Sequence, residues 1–78
     1  MNPNEDTKVL GENLLSLRKK YHLTQAQMAK KLGIGIGSLR KLEHSVLPPR
    51  LTCDFLFAVY FQFGISPTQL FTPDLFDR

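Results

Sequence analysis

The sequence contains a single cysteine, Cys53, so it cannot form an internal disulfide. A chain without disulfides fits a reducing compartment. No apolar run approaches the ~20 residues that a membrane-spanning helix needs. The first residues, MNPNEDTK, are polar and acidic where a secretory signal would carry positive charge. We therefore expect a cytoplasmic protein that makes no membrane contact.

Side chains that carry catalysis or bind metals are also scarce. The acids are few and scattered, which argues against acid–base catalysis. Nothing in the sequence suggests an orienting group or oxyanion donors for a Cys–His nucleophile. The spacings of His22, His44 and Cys53 match no zinc signature, and no fourth ligand is evident. We expect no enzymatic activity, no cofactor and no bound metal.

Acidic residues are nearly missing from one long stretch of the chain. Residues 8–50 hold nine of the ten Lys and Arg but only two acids, Glu12 and Glu43. Residues 51–78 carry seven of the eight aromatic residues and a net charge of −2. The basic half suggests a polyanionic partner, and the aromatic half suggests a core and a subunit interface. The simpler alternative is that the basic side chains only solvate the surface.

Hydrophobic spacing predicts a first helix over about residues 8–21. Leu10, Leu14, Leu17 and Tyr21 fall on one face, and Asn13 falls elsewhere. Residues 1–7 form a polar N-terminal arm in this interpretation. The domain itself would span about residues 8–71, and residues 72–78 would be a C-terminal tail.

A second helix follows a capping box. Thr24 can accept a hydrogen bond from the backbone of Gln27, whose side chain reaches back to Thr24. Gly33 stands where a helix often ends in a left-handed residue, and a third helix resumes near Ile36. The sequence therefore predicts two short helices joined by a turn.

The back half of the chain contains two further helix patterns. Apolar residues occur on every face from Thr52 to Phe63, which predicts a helix buried on more than one side and stopped by Gly64. Ser66 and Gln69 form a second capping box, and Pro67 occupies the first helical position. The pattern predicts a short last helix.

The glycines of KKLGIGIGSLRKLE, residues 30–43, could belong to a phosphate-binding loop, a strand or a turn. The sixth position counted from Gly33 is Ser38, so the dinucleotide fingerprint is absent, and no Walker pattern occurs. A strand is disfavoured because helical periodicity flanks the stretch on both sides. The remaining interpretation is a tight turn between two helices.

The residues around this turn resemble a known family. Ala29 offers a small side chain where the helices cross, Gly33 allows a corner, and Leu39 and Leu42 follow as inward apolar residues. The run LGENLLSLRKKYHLTQAQMAKKLGIGIGSLRKLE resembles the helix-turn-helix transcriptional regulators of the Cro and phage-repressor-like (XRE-type) family. The likeness continues loosely through GISPTQLF. It implies an all-α fold, a compact bundle of five short helices like the lambda-repressor DNA-binding domain, with the motif at about 24–43.

The resemblance also implies a nucleoid-associated protein that binds double-stranded DNA through its third helix, about residues 35–43. The candidate base-reading residues are Ile36, Gly37, Ser38 and Lys41. The candidate phosphate contacts are Gln25, which opens the second helix, together with Lys20, Arg40 and Arg50. Further surface cations that could reach phosphates are Lys19, Lys30 and Lys31.

One feature of this chain departs from the family pattern, and another agrees with it. Family members commonly present polar side chains where this chain has Ile36 and Gly37, so we expect weak or relaxed direct reading of bases. The family also implies an ion pair between Arg18 and Glu43, which would tie the first helix to the end of the third.

The aromatic half offers more apolar surface than a small core plausibly absorbs. The candidate interface residues of a homodimer are Phe57, Tyr60, Phe61, Phe71 and Phe76. The leading hypothesis is a repressor-like dimer on a short palindromic operator. The alternative is a protein-interaction module of the same fold, such as an antitoxin subunit or adaptor.

Overall fold

Five helices follow one another in the computed structural model, which describes residues 3–48, 51 and 53–73. They are α1 (Pro3–Lys20), α2 (Gln25–Leu32), α3 (Ile36–Glu43), α4 (Asp54–Phe63) and α5 (Pro67–Leu70). The described part of the chain is entirely helical and loop, with no strand. The all-α bundle of five short helices is therefore confirmed. Thr52, Arg50 and Phe76 lie outside the described residues.

The first helix is longer than the periodicity predicted. It begins at Pro3, so residues 3–7 form its first turns and not a separate arm. Proline is tolerated in a first turn because no N–H is needed there, and Glu5 and Asp6 complement the positive end of the helix dipole. The helix ends at Lys20, one residue before Tyr21. His22 then adopts a left-handed conformation with φ 57°.

The turn region has the local structure that its sequence predicted. Thr24 accepts a hydrogen bond from the Gln27 backbone at 3.1 Å, and the Gln27 side chain accepts one from the Thr24 backbone at 2.9 Å. Gly33 is left-handed with φ 70°, as expected of a residue that ends a helix. Gly35 returns to an extended conformation, and α3 begins at Ile36. The capping box and the glycine corner are confirmed.

One apolar core joins all five helices. α1 packs against α3 and α5, α2 packs against α3 and α4, and α4 packs against α5. Because each helix places its apolar stripe inward, the third helix is supported from two sides. The buried residues are Leu10, Leu14, Leu17, Met28, Ala29, Leu32, Leu39, Leu42, Phe55, Val59 and Leu70.

The expectation that α4 is buried on more than one side is wrong for the described chain. Phe55 and Val59 are buried, whereas Phe57, Tyr60 and Phe61 are exposed. None of the described residues covers the opposite face of α4. Its all-round apolar pattern therefore marks a core stripe and, opposite it, an exposed aromatic surface.

Asn13 also departs from expectation. The helical periodicity puts Asn13 away from the apolar face of the first helix, but only 5% of the residue is exposed. Its side-chain amide donates to the carbonyl oxygens of Leu70 at 2.6 Å and Thr72 at 3.0 Å. Asn13 thus supplies hydrogen-bond donors at the carboxyl end of α5, where the last carbonyl groups lack partners within the helix.

Candidate nucleic-acid interface

The third helix has one anchored side and one open side. Leu39 and Leu42 are fully buried in the core. At its amino end Gly35 and Gly37 are exposed, and Ile36 is 38% exposed. The amino end of α3 is therefore held by the core and presented to solvent. Of the other candidate base-reading residues, Ser38 is half-buried and Lys41 is exposed.

Neither packing nor backbone conformation requires glycine at positions 35 and 37. Neither has a positive φ, and a Cβ added at either position would meet none of the described atoms within 4 Å. Gly35 is the N-cap of α3, and no side chain caps the helix there in the described structure. The exposed start of α3 consequently presents only backbone at positions 35 and 37.

A buried ion pair fixes the carboxyl end of this helix. The Arg18 Nε donates to Glu43 Oε2 at 2.8 Å, and Arg18 Nη2 donates to Glu43 Oε1 at 3.2 Å. Only 4% of the Glu43 side chain and 17% of the Arg18 side chain are exposed. Arg18 Nη1 also donates to the carbonyl of Leu23 at 3.0 Å. The expected pair between the first and third helices is confirmed, and its fork geometry is that of a strong arginine–carboxylate contact.

Gln25 joins this pair to the protein surface. Its side-chain Nε2 donates to Glu43 Oε1 at 3.1 Å, and its Oε1 accepts a hydrogen bond from Arg40 Nε at 3.2 Å. The structure therefore brings together four of the residues singled out in the sequence: Arg18, Glu43, Gln25 and Arg40. The two contacts of Gln25 cannot be predicted from the sequence, because spacing does not reveal how an amide side chain will turn.

The remaining predicted cations lie on the surface of the first three helices. Lys19 and Lys20 occupy the last turn of α1, and Lys30 and Lys31 occupy the last turn of α2. All four are exposed, as are Arg40 and Lys41 on α3. Nearly all the basic charge of the described chain is thus carried by α1, α2 and α3.

The aromatic candidates occupy α4 and the end of α5. Phe61 is 81% exposed, Phe57 59%, Tyr60 52% and Phe71 40%. The rings of Tyr60 and Phe61 meet edge to face with their centroids 5.9 Å apart. These side chains form apolar surface carried by elements other than α3.

Two functional classes find no support in the described residues. No three or more His, Cys, Asp or Glu side chains among them lie close enough together to hold a metal ion. None of the helices described combines the length and the apolar character needed to cross a membrane.

The sequence interpretation missed Gly11, which lies in the middle of α1. A Cβ at this position would overlap the backbone carbonyl oxygen of Leu42, and it would lie 3.2 Å from the Leu42 carbonyl carbon. α1 therefore approaches the backbone of α3 as closely as a glycine permits. A glycine inside an otherwise good helix pattern was the available signal, since such glycines often mark close packing.

α2, the glycine corner and α3 form a helix-turn-helix motif, in which the inner side of α3 packs in the core and its amino end is exposed. The helix-turn-helix family matches residues 14–52, which include α2, the turn and α3. The chain belongs to this family, in its Cro/C1-type branch. This family comprises DNA-binding regulator domains and is not an enzyme family. No curated protein and no solved structure matched the chain.

Proposed function

We propose that this DNA-binding helix-turn-helix protein is a repressor-like regulator that binds a short palindromic operator as a homodimer. The observation that carries the proposal is the exposed amino end of α3, which Leu39 and Leu42 anchor in the core. In a helix-turn-helix protein this part of the second motif helix enters the major groove.

The reading residues set a modest level of specificity in this proposal. Ile36 packs against a thymine methyl group, and Lys41 and Ser38 are the side chains able to bond base edges. Gly37 contributes only backbone, so it allows close approach but no side-chain readout. DNA shape and deformability then supply part of the discrimination between sites.

Phosphate contacts position the protein on the duplex. The proposed contacts are Gln25, Lys20 and Arg40, with Arg50 added from outside the described residues. About four to five contacts per protomer give a slope near −4 per protomer when log affinity is plotted against log salt concentration. Most of the affinity would therefore come from charge.

The proposed dimer interface is the exposed aromatic surface formed by Phe57, Tyr60 and Phe61, with Phe71 and Phe76 as further candidates. A large aromatic side chain can bury 150–250 Å². At the exposures of the first three residues, this gives roughly 300–500 Å² of apolar surface per protomer. A standard interface uses about 800 Å² per partner. These rings can supply about half of an interface, and two-fold symmetry would set the reading helices ~34 Å apart.

A second candidate function rests on the same exposed helix. Ile36 is 38% exposed and is flanked by two glycines that offer no side-chain donor or acceptor. This composition also suits a protein-interaction module, such as an antitoxin subunit or adaptor, with little sequence-specific DNA binding. The regulator binds DNA by itself, whereas the interaction module binds a protein partner instead.

A gel-shift titration on random-sequence duplex at low and moderate salt separates these functions. The regulator shifts the duplex at low salt, and selection from a random duplex pool then enriches a palindromic sequence. Enrichment of no sequence would indicate charge-driven binding only and would contradict the operator. Failure to bind at either salt concentration would contradict the regulator and favour the protein partner.

The dimer has its own test in sedimentation equilibrium. Phe61→Lys places a charge in the proposed interface and is expected to give a monomer. Val46→Lys is the matched control, because Val46 is also exposed, at 51%, but lies outside α4. If the wild type is a monomer at the concentrations that bind DNA, or if both variants remain dimeric, the proposed interface is wrong.

A further inference from the structure

The contacts of Gln25 assign it a role different from that of a terminal phosphate ligand. We propose that Gln25 is a positioning residue through which the buried carboxylate of Glu43 orients the guanidinium of Arg40, and that Arg40 is the group that binds the DNA phosphate beside α2. This inference rests on the proposed DNA-binding function. It removes Gln25 from the proposed phosphate contacts, keeps Arg40 among them, and adds a buried residue, Glu43, that acts without meeting DNA.

The buried carboxylate of Glu43 needs hydrogen-bond donors. Glu43 is 4% exposed on its side chain, so both oxygens need donors from the protein. Arg18 supplies two N–H groups and Gln25 supplies one. A carboxylate carries no hydrogen-bond donor, so it can only accept hydrogen bonds. The Gln25 amide is therefore held with its nitrogen towards Glu43.

The shape of the Gln25 amide then sets the direction of its oxygen. With Nε2 turned towards Glu43, the Oε1 of Gln25 points away from it and accepts from Arg40 Nε at 3.2 Å. A guanidinium can only donate. Reversing the amide would set its oxygen against a carboxylate and its NH₂ group against a cation. Both contacts would be lost, so the orientation is fixed by chemistry at each end.

Arg40, unlike Arg18, has guanidinium nitrogens left to bind a phosphate. All three nitrogens of Arg18 are occupied, by Glu43 and by the Leu23 carbonyl. Arg40 uses only Nε, and its two other nitrogens make no hydrogen bond within the described part of the chain. Arg40 is also exposed. The free edge of its guanidinium has the geometry that binds a phosphate through two parallel hydrogen bonds.

Gln25 keeps one amide hydrogen that the described contacts do not use, so the competing arrangement is a direct bond from Gln25 to the phosphate. The two arrangements differ in how the effects of substitution combine. If Gln25 acts through Arg40, then removing Gln25 matters only while Arg40 is present. If each residue binds phosphate independently, their effects on binding free energy add.

A double-mutant cycle on the full chain tests this, with wild type, Gln25→Ala, Arg40→Ala and the double variant titrated onto one duplex over a series of salt concentrations. We expect Arg40→Ala to lower affinity by about tenfold and the salt slope by about 1 per protomer. Gln25→Ala should weaken binding in the wild-type background and change it less than twofold in the Arg40→Ala background. Additive losses, or an unchanged slope in Arg40→Ala, would overturn the proposal. Thermal unfolding of each variant establishes that it is folded.

A second readout needs no DNA. In the free protein the Arg40 Nε–H resonance should be slowed in exchange with water by its bond to Gln25, and Gln25→Ala should remove that protection. Lys31→Ala is the matched control, since it removes an exposed cation from the same helix as Gln25 without touching this contact. Protection that persists in Gln25→Ala would refute the positioning role. If protection behaves as expected while the wild type binds no duplex, the proposed function fails and the internal contact stands.

Discussion

Replacing Gly11 by alanine tests the closest approach between two helices in this protein. The added Cβ would overlap the carbonyl oxygen of Leu42 and lie 3.2 Å from its carbon and 3.4 Å from the nitrogen of Ser45. All three atoms belong to the backbone, so no side chain can rotate away. α1 must instead move off the end of α3, where the ion pair of Arg18 and Glu43 also lies.

Two opposing effects set the expected change in the free energy of unfolding. Overpacking of a tight contact costs about 1–3 kcal/mol and sometimes more, and a backbone clash belongs at the upper end of that range. Alanine returns about 1 kcal/mol through its higher helix propensity. We expect a net loss of about 2 kcal/mol in the free energy of unfolding. For a domain of this size that lowers the Tm by roughly 8–16 °C.

Thermal unfolding followed by circular dichroism measures this loss, and Gly37→Ala is the matched control. Gly37 is also helical and has no positive φ, but a Cβ there meets none of the described atoms within 4 Å. The control should therefore gain up to about 1 kcal/mol. A Gly11→Ala protein as stable as the wild type, or a Gly37→Ala protein that loses as much as Gly11→Ala, would refute the reasoning.

Substitutions at four further positions have expected outcomes in the same unfolding assay. Asn13→Ala leaves two carbonyl oxygens without their donor and should cost about 1–3 kcal/mol. Asn13→Asp should cost more, because it sets a carboxylate against these oxygens. A smaller loss for Asn13→Asp than for Asn13→Ala would contradict the contact. Arg18→Ala strands the buried Glu43 carboxylate and should cost about 3–5 kcal/mol, and a loss below 1 kcal/mol would mean that the pair is solvated. His22→Gly relieves a left-handed residue with φ 57° and should raise stability by about 0.5–1 kcal/mol, whereas Gly33→Ala, at φ 70°, should lower it.

Local features of this fold could be predicted because each is encoded within a few residues. The pairs Thr24 with Gln27 and Ser66 with Gln69 specify two helix starts, and both capping boxes are present. Gly33 specifies the corner for the same reason, since few other residues adopt its conformation without cost. The pair of Arg18 and Glu43 spans a longer separation and was available only through the family resemblance.

Features that depend on distant parts of the chain could not be predicted. The burial of Asn13 depends on α5, which lies 57 residues further along the sequence. The exposure of Phe61 depends on there being no described helix to cover that face of α4. The bond between Gln25 and Arg40 depends on where Glu43 turns the amide. In each case the decisive neighbour is set by packing, which a periodic pattern does not encode.

The most direct test of the account is a two-dimensional amide NMR titration of the protein with a short duplex. The chain has five glycines, whose amide resonances fall in a separate region of the spectrum, and they sample the molecule well. Gly35 and Gly37 mark the exposed start of α3, Gly11 is buried between helices, and Gly64 lies at the end of α4. If α3 enters the major groove, Gly35 and Gly37 shift most on addition of DNA and Gly64 remains nearly still. Perturbation centred on Gly64 and the aromatic surface, with Gly35 and Gly37 unchanged, would contradict it.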